Sequence, residues 1–288
     1  MIRLRPTPIA IVFLVCLILA GIDPPPASAD NPFSGLTHRL VAEGFAAEQI
    51  QALYGDPGRI FETEGVALFF VHSEARLNYA QFALPEAIER ARQYMARHCD
   101  ALAAAEAAHG VPAEVITGIL LVETRLGTYT GNRRVLSTLS TMAALSDPTV
   151  RQAFWEQIPS QRRIAPDRFA AKADAKSAWA YEELKAFLRF AAREGLDPMT
   201  VTGSYAGAMG ICQFMPSNAL RLALDGDGDG RVDLFSHADA IASVGNYLRH
   251  HNWRPGLTRD QRYRVILRYN YSKPYAETIL NIADQLGG

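Results

Sequence analysis

One glutamate follows a long apolar run of the chain. Glu123 comes directly after residues 115–122, and at helical spacing its carboxylate lies above Ile116, Ile119 and Leu120. Taking a carboxylate out of water is unfavourable unless it finds a partner or keeps its proton, and a retained proton is what a general acid needs. The pattern therefore predicts a catalytic acid at Glu123. A structural glutamate, paired with a buried arginine or capping a neighbouring helix, is the alternative.

A second informative stretch is rich in glycine and alanine. Residues 203–216 read Gly-Ser-Tyr-Ala-Gly-Ala-Met-Gly-Ile-Cys-Gln-Phe-Met-Pro. Small side chains let the backbone approach a helix or a ligand closely. The aromatic, thioether and amide groups of Tyr205, Gln213, Phe214 and Met215 are typical of a sugar-binding site. We predict a ligand-binding loop here, and a tight turn that only packs is the alternative.

Carboxylates recur at alternate positions in a third stretch, which matches the start of an EF-hand loop. The candidate ligands are Asp225, Asp227, Asp229, the backbone carbonyl of Arg231, and Asp239. Ser236 replaces the usual glutamate at loop position 12, so Asp239 is expected to close the site. The pattern predicts a structural Ca²⁺ that binds weakly, in the range of roughly 10⁻⁴ to 10⁻³ M. A solvated acidic turn is the alternative.

The first 29 residues have the organisation of a cleaved export signal. Two arginines precede an apolar stretch at 9–20, and small residues at 27–29 precede Asp30. The apolar stretch is shorter than the ~20 residues that a membrane-spanning helix needs. A retained membrane anchor and a lipid attached at Cys16 are the less favoured readings, and we expect no transmembrane domain in the mature chain.

Charge and cysteine content narrow the class of protein. The 288 residues include 29 Lys and Arg and 30 Asp and Glu, and this balance argues against nucleic acid as a partner. Cys99 and Cys212 lie beyond the export signal, in an oxidising compartment where a disulfide is permitted. Of the two outcomes, the sequence favours two buried free thiols.

The rest of the chain is expected to be mainly α, with little or no β-sheet, because no sustained period-2 alternation occurs. The predicted helices cover residues 36–44, 46–54, 85–109, 112–126, 134–145, 176–194, 216–224, 237–251, 258–269 and 273–286. Pro112 marks the start of the Glu123 helix, and Leu126-Gly127 marks its end. Glu123 should therefore lie in the last helical turn.

Together these segments resemble the lytic murein transglycosylase B family. The resemblance rests on Gly110-Val111-Pro112, residues 122–127, residues 203–216, the Asp225 loop with Asp239, and Arg268-Tyr269-Asn270. It implies a lysozyme-like helical core at 111–288 behind an N-terminal helical lobe at 30–110. It also implies that Glu123 is the single catalytic acid and base. The predicted substrate-binding residues are Ser204, Tyr205, Gln213, Phe214, Met215, Tyr269 and Asn270.

The resemblance also implies an activity and a location. We expect a periplasmic enzyme that cleaves the β-1,4 bond between N-acetylmuramic acid and N-acetylglucosamine in peptidoglycan glycan strands and forms a 1,6-anhydro product. No organic cofactor is expected. The enzyme should be a monomer and a candidate member of cell-wall enzyme complexes. A hydrolytic muramidase, or a non-catalytic, calcium-stabilised glycan-binding or scaffolding protein, are the alternatives.

Two departures from the family pattern lead to further expectations. The link from His251 to Tyr269 is short, so a small β-rich lobe that larger family members insert there should be absent. An insertion between Ser146 and Ser177 contains Trp155, Arg162 and Arg163 and is a candidate lid or partner-binding segment.

Overall fold

The computed structural model describes residues 31–71 and 78–288, and the expected export signal lies outside these residues. The described chain is mainly helical, which confirms the mainly α class. The helices are α1 (Ser34–Ala42), α2 (Ala47–Tyr54), α3 (Thr63–Val71), α4 (Pro85–Arg97), α5 (Cys99–His109), α6 (Ala113–Thr124), α7 (Val135–Ala144), α8 (Pro148–Gln157), α9 (Pro166–Glu194), α10 (Pro216–Leu222), α11 (His237–His250), α12 (Arg259–Tyr269) and α13 (Lys273–Gly287). Buried apolar side chains drawn from nearly all of them form one continuous core.

A very short sheet draws two distant segments together. Strand β1 (Arg133–Arg134) pairs antiparallel with β2 (Thr202–Gly203). Gly131 has a φ of +95°, and a Cβ placed there would lie 2.1 Å from the Gly203 carbonyl oxygen. Only glycine permits this approach. The contact brings the chain after α6 alongside the beginning of the 203–216 segment.

Helix α6 is the central helix of the core. Ile116, Ile119 and Leu120 are fully buried, as the apolar run predicts. The helix ends after Thr124 because Arg125 and the two residues that follow it take positive φ angles. Glu123 therefore lies in the last turn, as predicted.

Sequence patterns missed two helices and the first part of a third. Helix α3 is a nearly unbroken apolar run, so it carries no 3.6-residue period to indicate a helix. Helix α8 begins with Pro148, and the Asp147 carboxylate caps it by accepting hydrogen bonds from the N–H groups of Thr149 and Val150. Helix α9 begins at Pro166, about ten residues before the predicted start. Between α11 and α12 only a short link occurs, as expected.

The inserted segment is built into the core. Phe154 of α8 and Phe169 of α9 are buried and stacked, with ring centroids 5.8 Å apart. The Trp155 indole N–H donates to the Ile164 carbonyl at 3.0 Å, and the Arg163 guanidinium lies 4.5 Å from the Trp155 ring centroid. The side chain of Arg162 lies outside the described part of the chain. The segment thus packs as an integral part of the fold, which does not support its interpretation as a lid.

Cys99 and Cys212, the two cysteines within the described residues, are unpaired, and only one of them is buried. Cys212 is buried, and the loss of hydration raises the pKa of its thiol to about 12. Cys99 is exposed at the start of α5, so the prediction of burial is wrong for this residue. The local sequence could not show which face of that helix meets the core.

None of the described helices is by itself long and apolar enough to cross a membrane, although α5 and α6, which meet at a bend of 115°, together have sufficient length and apolar composition.

Candidate active site

A groove of about 480 Å³ opens at the C-terminal end of α6, a size typical of small-molecule sites. Its lining residues are Tyr79, Gln81, Phe82, Val122, Glu123, Tyr129, Ser204, Tyr205, Ala206, Ala208, Gln213, Tyr269, Asn270 and Tyr275. Glu123 is the only carboxylic acid among the described residues that line it. Aromatic rings and neutral polar groups make up most of the remaining lining.

The end of α6 is fixed to the 203–216 segment. The buried Thr124 hydroxyl donates to the Ile211 carbonyl at 2.8 Å and accepts the Gly127 N–H at 2.9 Å. The Leu126 N–H also closes onto the Leu120 carbonyl at 2.9 Å. These bonds satisfy backbone groups that the end of the helix would otherwise leave unpaired. They hold the turn that carries Glu123 in one position relative to the groove.

A phenol from α13 contacts the Glu123 carboxylate. The Tyr275 hydroxyl donates to Glu123 Oε1 at 2.7 Å, and its ring is almost fully buried. Burial, and then the negative charge of Glu123, raise the pKa of Tyr275 well above its usual value. The phenol therefore keeps its proton and acts as a hydrogen-bond donor that orients the carboxylate.

The end of α12 supplies a second phenol and an amide. The Tyr269 hydroxyl donates to the Cys212 carbonyl at 2.5 Å, and its ring is stacked with that of Tyr275 at 6.5 Å between centroids. Burial raises the pKa of Tyr269 well above its usual value, so this phenol is also neutral. Asn270 follows in extended conformation, which ends the helix and places the residue at the groove. Its side-chain amide makes no hydrogen bond within the described residues.

The 203–216 segment places an amide and a hydroxyl at the groove. Gln213 has a φ of +51°, and its Nε2 donates to the carbonyls of Thr130 at 3.0 Å and Gly210 at 2.9 Å. Because its N–H groups are directed at the backbone, the amide oxygen is the polar atom left for a ligand. The Ser204 oxygen accepts the N–H groups of Ala206 and Ala208, so its own proton can be donated. Tyr205 also lines the groove.

Two predicted substrate-binding residues do not line the groove. Phe214 is 2% exposed, and its ring packs against Tyr247 and Tyr269 at 5.5 and 5.9 Å. Met215 is partly buried against the core. The structure corrects the prediction for both side chains, because the turn at Gln213 directs the next residues inward. Phe214 supports the groove from behind through Tyr269.

Several groove residues carried no local signal in the sequence. Tyr79, Gln81 and Phe82 belong to a 3₁₀ turn (Tyr79–Ala83) that lies far from Glu123 in the chain. Tyr275 is equally distant, whereas Tyr129 follows soon after α6 but belongs to none of the motifs. Only tertiary packing brings the 3₁₀ turn and Tyr275 to the end of α6, and the Tyr79 ring meets the edge of Tyr275 at 6.2 Å between centroids.

The carboxylates of the predicted EF-hand-like loop do come together. One oxygen from each of Asp225, Asp227 and Asp229 lies within 4.8 Å of the others. Oxygens at that spacing can share one Ca²⁺ at its usual distance of about 2.3–2.6 Å, so the donor set fits the ion. Arg231, whose carbonyl is a predicted ligand, lies on the exposed part of the same loop.

Asp239 lies outside the group of three carboxylates and is 1% exposed. Its Oδ1 accepts the Gly226 N–H at 2.8 Å, and its Oδ2 accepts the Asp233 N–H at 2.6 Å. Burial is the main cause of its raised pKa. Asp239 thus joins the two ends of the loop by hydrogen bonds to the backbone, and its role as a closing ligand stays a prediction.

The acidic loop and the groove are directly connected. The Ile211 N–H donates to the Leu234 carbonyl at 2.8 Å. A Cβ placed on Gly210 would lie 2.4 Å from the Leu234 Cβ, so the two backbones approach as closely as glycine allows. Any change in the conformation of the loop would therefore be transmitted to the segment that carries Gln213.

Comparison with known proteins finds relatives and solved structures that are similar to this chain. The chain is 35% identical over 176 residues to the membrane-bound lytic murein transglycosylase B of Escherichia coli, a match that spans 61% of this chain and 41% of that relative. The soluble lytic transglycosylase SltB1 of Pseudomonas aeruginosa has a similar fold, with a TM-score of 0.70 and 26% identity over 88% of this chain and 97% of that chain. The E. coli lytic transglycosylase Slt35, solved in complex with calcium, has a TM-score of 0.68 and 24% identity over 90% and 94% of the two chains.

The family model for the transglycosylase SLT domain matches residues 28–262. That range includes the α6 glutamate, the 203–216 segment and the acidic loop. This protein therefore belongs to the transglycosylase SLT domain family.

Proposed function

We propose that this protein is a lytic transglycosylase that cleaves the β-1,4 bond between N-acetylmuramic acid and N-acetylglucosamine and leaves a 1,6-anhydromuramoyl end. Family membership and the 35% identity to a lytic murein transglycosylase support this class of reaction. The observation that carries the proposal is the groove itself, whose described lining contains one carboxylic acid, Glu123, oriented by a neutral phenol.

The proposed reaction uses Glu123 twice. Its protonated form donates to the glycosidic oxygen as the bond from that oxygen to C1 breaks, and the substrate's acetamido group stabilises the positive charge at C1. The resulting carboxylate then takes the proton from the muramoyl 6-hydroxyl, whose oxygen attacks C1 and closes the anhydro ring. No water is consumed, and Glu123 ends protonated.

Among the described residues that line the groove, Glu123 is the only acid, which favours this scheme over the usual hydrolytic ones. Glycosidases that use two carboxylates need them within about 5–10 Å of each other, whereas substrate-assisted enzymes are the recognised exception. Within the described lining, Glu123 has no such companion. The three aspartates of the acidic loop are grouped with one another instead.

The neighbouring groups have complementary roles in this proposal. The Tyr275 hydroxyl holds the Glu123 carboxylate in place. The Gln213 amide oxygen, the Ser204 hydroxyl and the Asn270 amide accept or donate hydrogen bonds to sugar substituents. The aromatic ring of Tyr269 lies in the groove wall, where it can pack against the apolar face of a pyranose.

We also propose that Asp225, Asp227 and Asp229 hold a calcium ion, with the Arg231 carbonyl as a further ligand. Calcium in the complex of the similar Slt35 supports this assignment, as does the spacing of the three carboxylates. When bound, the ion would neutralise their mutual repulsion and keep the loop rigid next to the 203–216 segment. The ion takes no part in the chemical step.

The proposed setting is the periplasm, where the substrate would be the glycan strands of peptidoglycan. The predicted export signal and the relative's role as a murein transglycosylase support this location. A monomeric state and membership of cell-wall enzyme complexes stay predictions from the sequence.

The mass of the products tests the proposed function. Purified sacculi are digested with the protein, and the released muropeptides are weighed without prior reduction. A lytic transglycosylase gives products lighter by one water than those of a muramidase. Products that contain the added water would assign the hydrolytic reaction instead, and a glycan-binding or scaffolding protein would release none.

A further inference from the structure

A row of aromatic side chains leads away from the groove. It begins at Tyr205, which lines the groove, and continues to Phe69 of α3, with 6.5 Å between ring centroids. Phe69 in turn is stacked with Trp179 of α9, with a centroid distance of 5.8 Å and an angle of only 5° between the rings. We name Tyr205, Phe69 and Trp179 the aromatic ladder. It extends the wall of the groove by two rings.

The ladder is neither fully buried nor freely exposed. All three rings have intermediate exposure, so part of each is accessible to a ligand. Parallel rings at 5.8 Å between centroids are offset, and offset rings leave part of their faces uncovered. Amphipathic rings of this kind suit a sugar, whose C–H face is apolar and whose rim is polar.

A flexible cation lies beside the outer end of the ladder. The Lys176 ammonium is 5.5 Å from the Phe69 ring centroid and 5.6 Å from that of Trp179. Lys176 is exposed and lies three residues before Trp179 on α9. It offers three N–H donors at the rim of the ladder, where hydroxyl or carboxylate substituents of a glycan would lie.

The ladder rests on a rigid support. The Lys172 ammonium donates to the Phe70 carbonyl at 3.1 Å, and the Phe70 ring meets the edge of Phe169 at 4.9 Å. These contacts fix the end of α3 against the inserted part of α9. A preformed ligand surface loses little entropy on binding, so such rigidity favours recognition.

A purely structural reading is the alternative. In that reading, the rings and Lys176 only hold α3 against α9, since cation–π contacts also stabilise exposed surfaces. The deeper contacts of Phe70 and Phe169 already join the two helices, however. The continuity of the ladder with the groove at Tyr205 is not explained by packing alone.

We propose that the aromatic ladder is a second glycan-binding subsite, which takes sugar rings of the same strand beyond those held at Glu123. The inference rests on the proposed function, because it assumes that the groove binds a glycan strand. Long strands occupy both the groove and the ladder, whereas short fragments that fill the groove do not reach Trp179.

A binding experiment tests the proposal without turnover. In the E123Q/W155F double variant, the remaining tryptophans are Trp179 and Trp253, and Trp253 is 1% exposed and inside the core. Peptide-free glycan strands, separated into long and short fractions, are titrated against this variant. Long strands should change the tryptophan emission at saturation, and short ones should not. An unchanged emission, with binding of long strands shown by calorimetry, would overturn the proposal.

Kinetics on the same two fractions provide a second test in an otherwise wild-type chain. W179A should lower kcat/KM on long strands by about three- to tenfold, the scale expected for one aromatic contact, and leave short strands unaffected. W179F should retain most of the activity. An equal loss on both fractions, or no loss on long strands, would contradict the inference.

Trp155 provides the matched control. It is a partly buried tryptophan on the neighbouring helix α8, but its indole contacts Ile164 and Arg163 instead of the ladder. W155A should lower the melting temperature and leave the ratio of long-strand to short-strand activity unchanged. A change in that ratio as large as in W179A would show that the effect reflects general destabilisation.

The two proposals fail in different ways. If the wild-type protein cleaves no glycan, the proposed function fails, yet the emission titration still reports whether the ladder binds a strand. If cleavage occurs and neither test detects a role for Trp179, only the second subsite is excluded.

Discussion

The same functional group occurs in two contrasting environments in this protein. Glu123 is the one carboxylate among the described residues that line a groove rich in aromatic rings, and a buried phenol donates to it. Asp225, Asp227 and Asp229 are three carboxylates on a surface loop, grouped within 4.8 Å and held mainly by backbone N–H groups. The first arrangement isolates one proton-transfer group from other charges, whereas the second concentrates negative charge for a cation.

The contrast shows that the environment decides what a carboxylate does. Asp225 is partly exposed, and hydrogen bonds from the backbone, first of all the N–H of Gly230, lower its pKa. Asp239, farther along the chain, is buried, and burial raises its pKa although it also accepts two N–H groups. The greater burial of Asp239 thus outweighs the hydrogen bonds that it accepts.

The largest effect is expected from removing the groove acid. E123Q keeps the shape of the side chain and a hydrogen-bond acceptor for Tyr275, but it cannot donate and recover a proton. The release of muropeptides from sacculi should fall by about 10³-fold or more. Thermal unfolding should show a nearly unchanged stability. E114Q, the same substitution in the first turn of α6, should keep full activity, and substantial turnover by E123Q would remove Glu123 from the mechanism.

Removing the phenol donor tests whether the position of the carboxylate matters. Y275F keeps the buried ring and loses only the hydrogen bond to Glu123. Because hydrogen bonds to charged groups contribute about 1.5–3 kcal/mol, kcat should fall roughly tenfold to a hundredfold, with little change in KM. Y263F, on α12 and outside the groove lining, is the control. A rise in KM at constant kcat would instead indicate that Tyr275 contacts the sugar.

Calcium bound to the acidic loop should increase the stability of the fold. With a dissociation constant of roughly 10⁻⁴ to 10⁻³ M, about 10 mM Ca²⁺ should raise the free energy of unfolding by about 1–3 kcal/mol. Denaturant titrations with calcium and with a chelator measure the difference. The D225A/D229A double variant should abolish this difference in stability. D260A, which removes an exposed aspartate paired with Arg264 on α12, should leave the difference unchanged. Identical stability of the wild-type protein in both conditions would mean that the loop binds no ion.

The smallest predicted effect is the pH dependence of folding stability when the acidic loop holds no calcium. Because backbone N–H groups lower the pKa of Asp225 below its ordinary value of 3.8, the charged form stabilises the fold. This contribution is complete above the unfolded-state pKa and is lost as the pH falls through the lower folded-state pKa. In chelator, the stability difference between wild type and D225N should therefore be constant near pH 5–6 and shrink below about pH 4. A difference that grows on acidification would contradict the direction of the shift.

Local sequence was informative where one segment contained the whole signal. The α6 helix, its end before Gly127 and the three loop aspartates each follow from spacing within a few residues. The same reasoning failed at α3, where the apolar run has no period. It also failed at Phe214, because whether an aromatic residue faces a ligand or the core depends on a turn whose geometry the sequence does not give.

By itself, the sequence determined that the chain is helical, that one carboxylate follows an apolar helix, and that a loop can gather acidic oxygens. These properties arise from neighbouring residues, so a single segment is enough to encode them. The tertiary structure alone decided that Tyr275 donates to Glu123, that Asp239 bonds to the backbone and that Trp179 lies two rings from the groove. Each of these depends on side chains from distant segments meeting within a few ångströms, which only the packing of the whole core can fix.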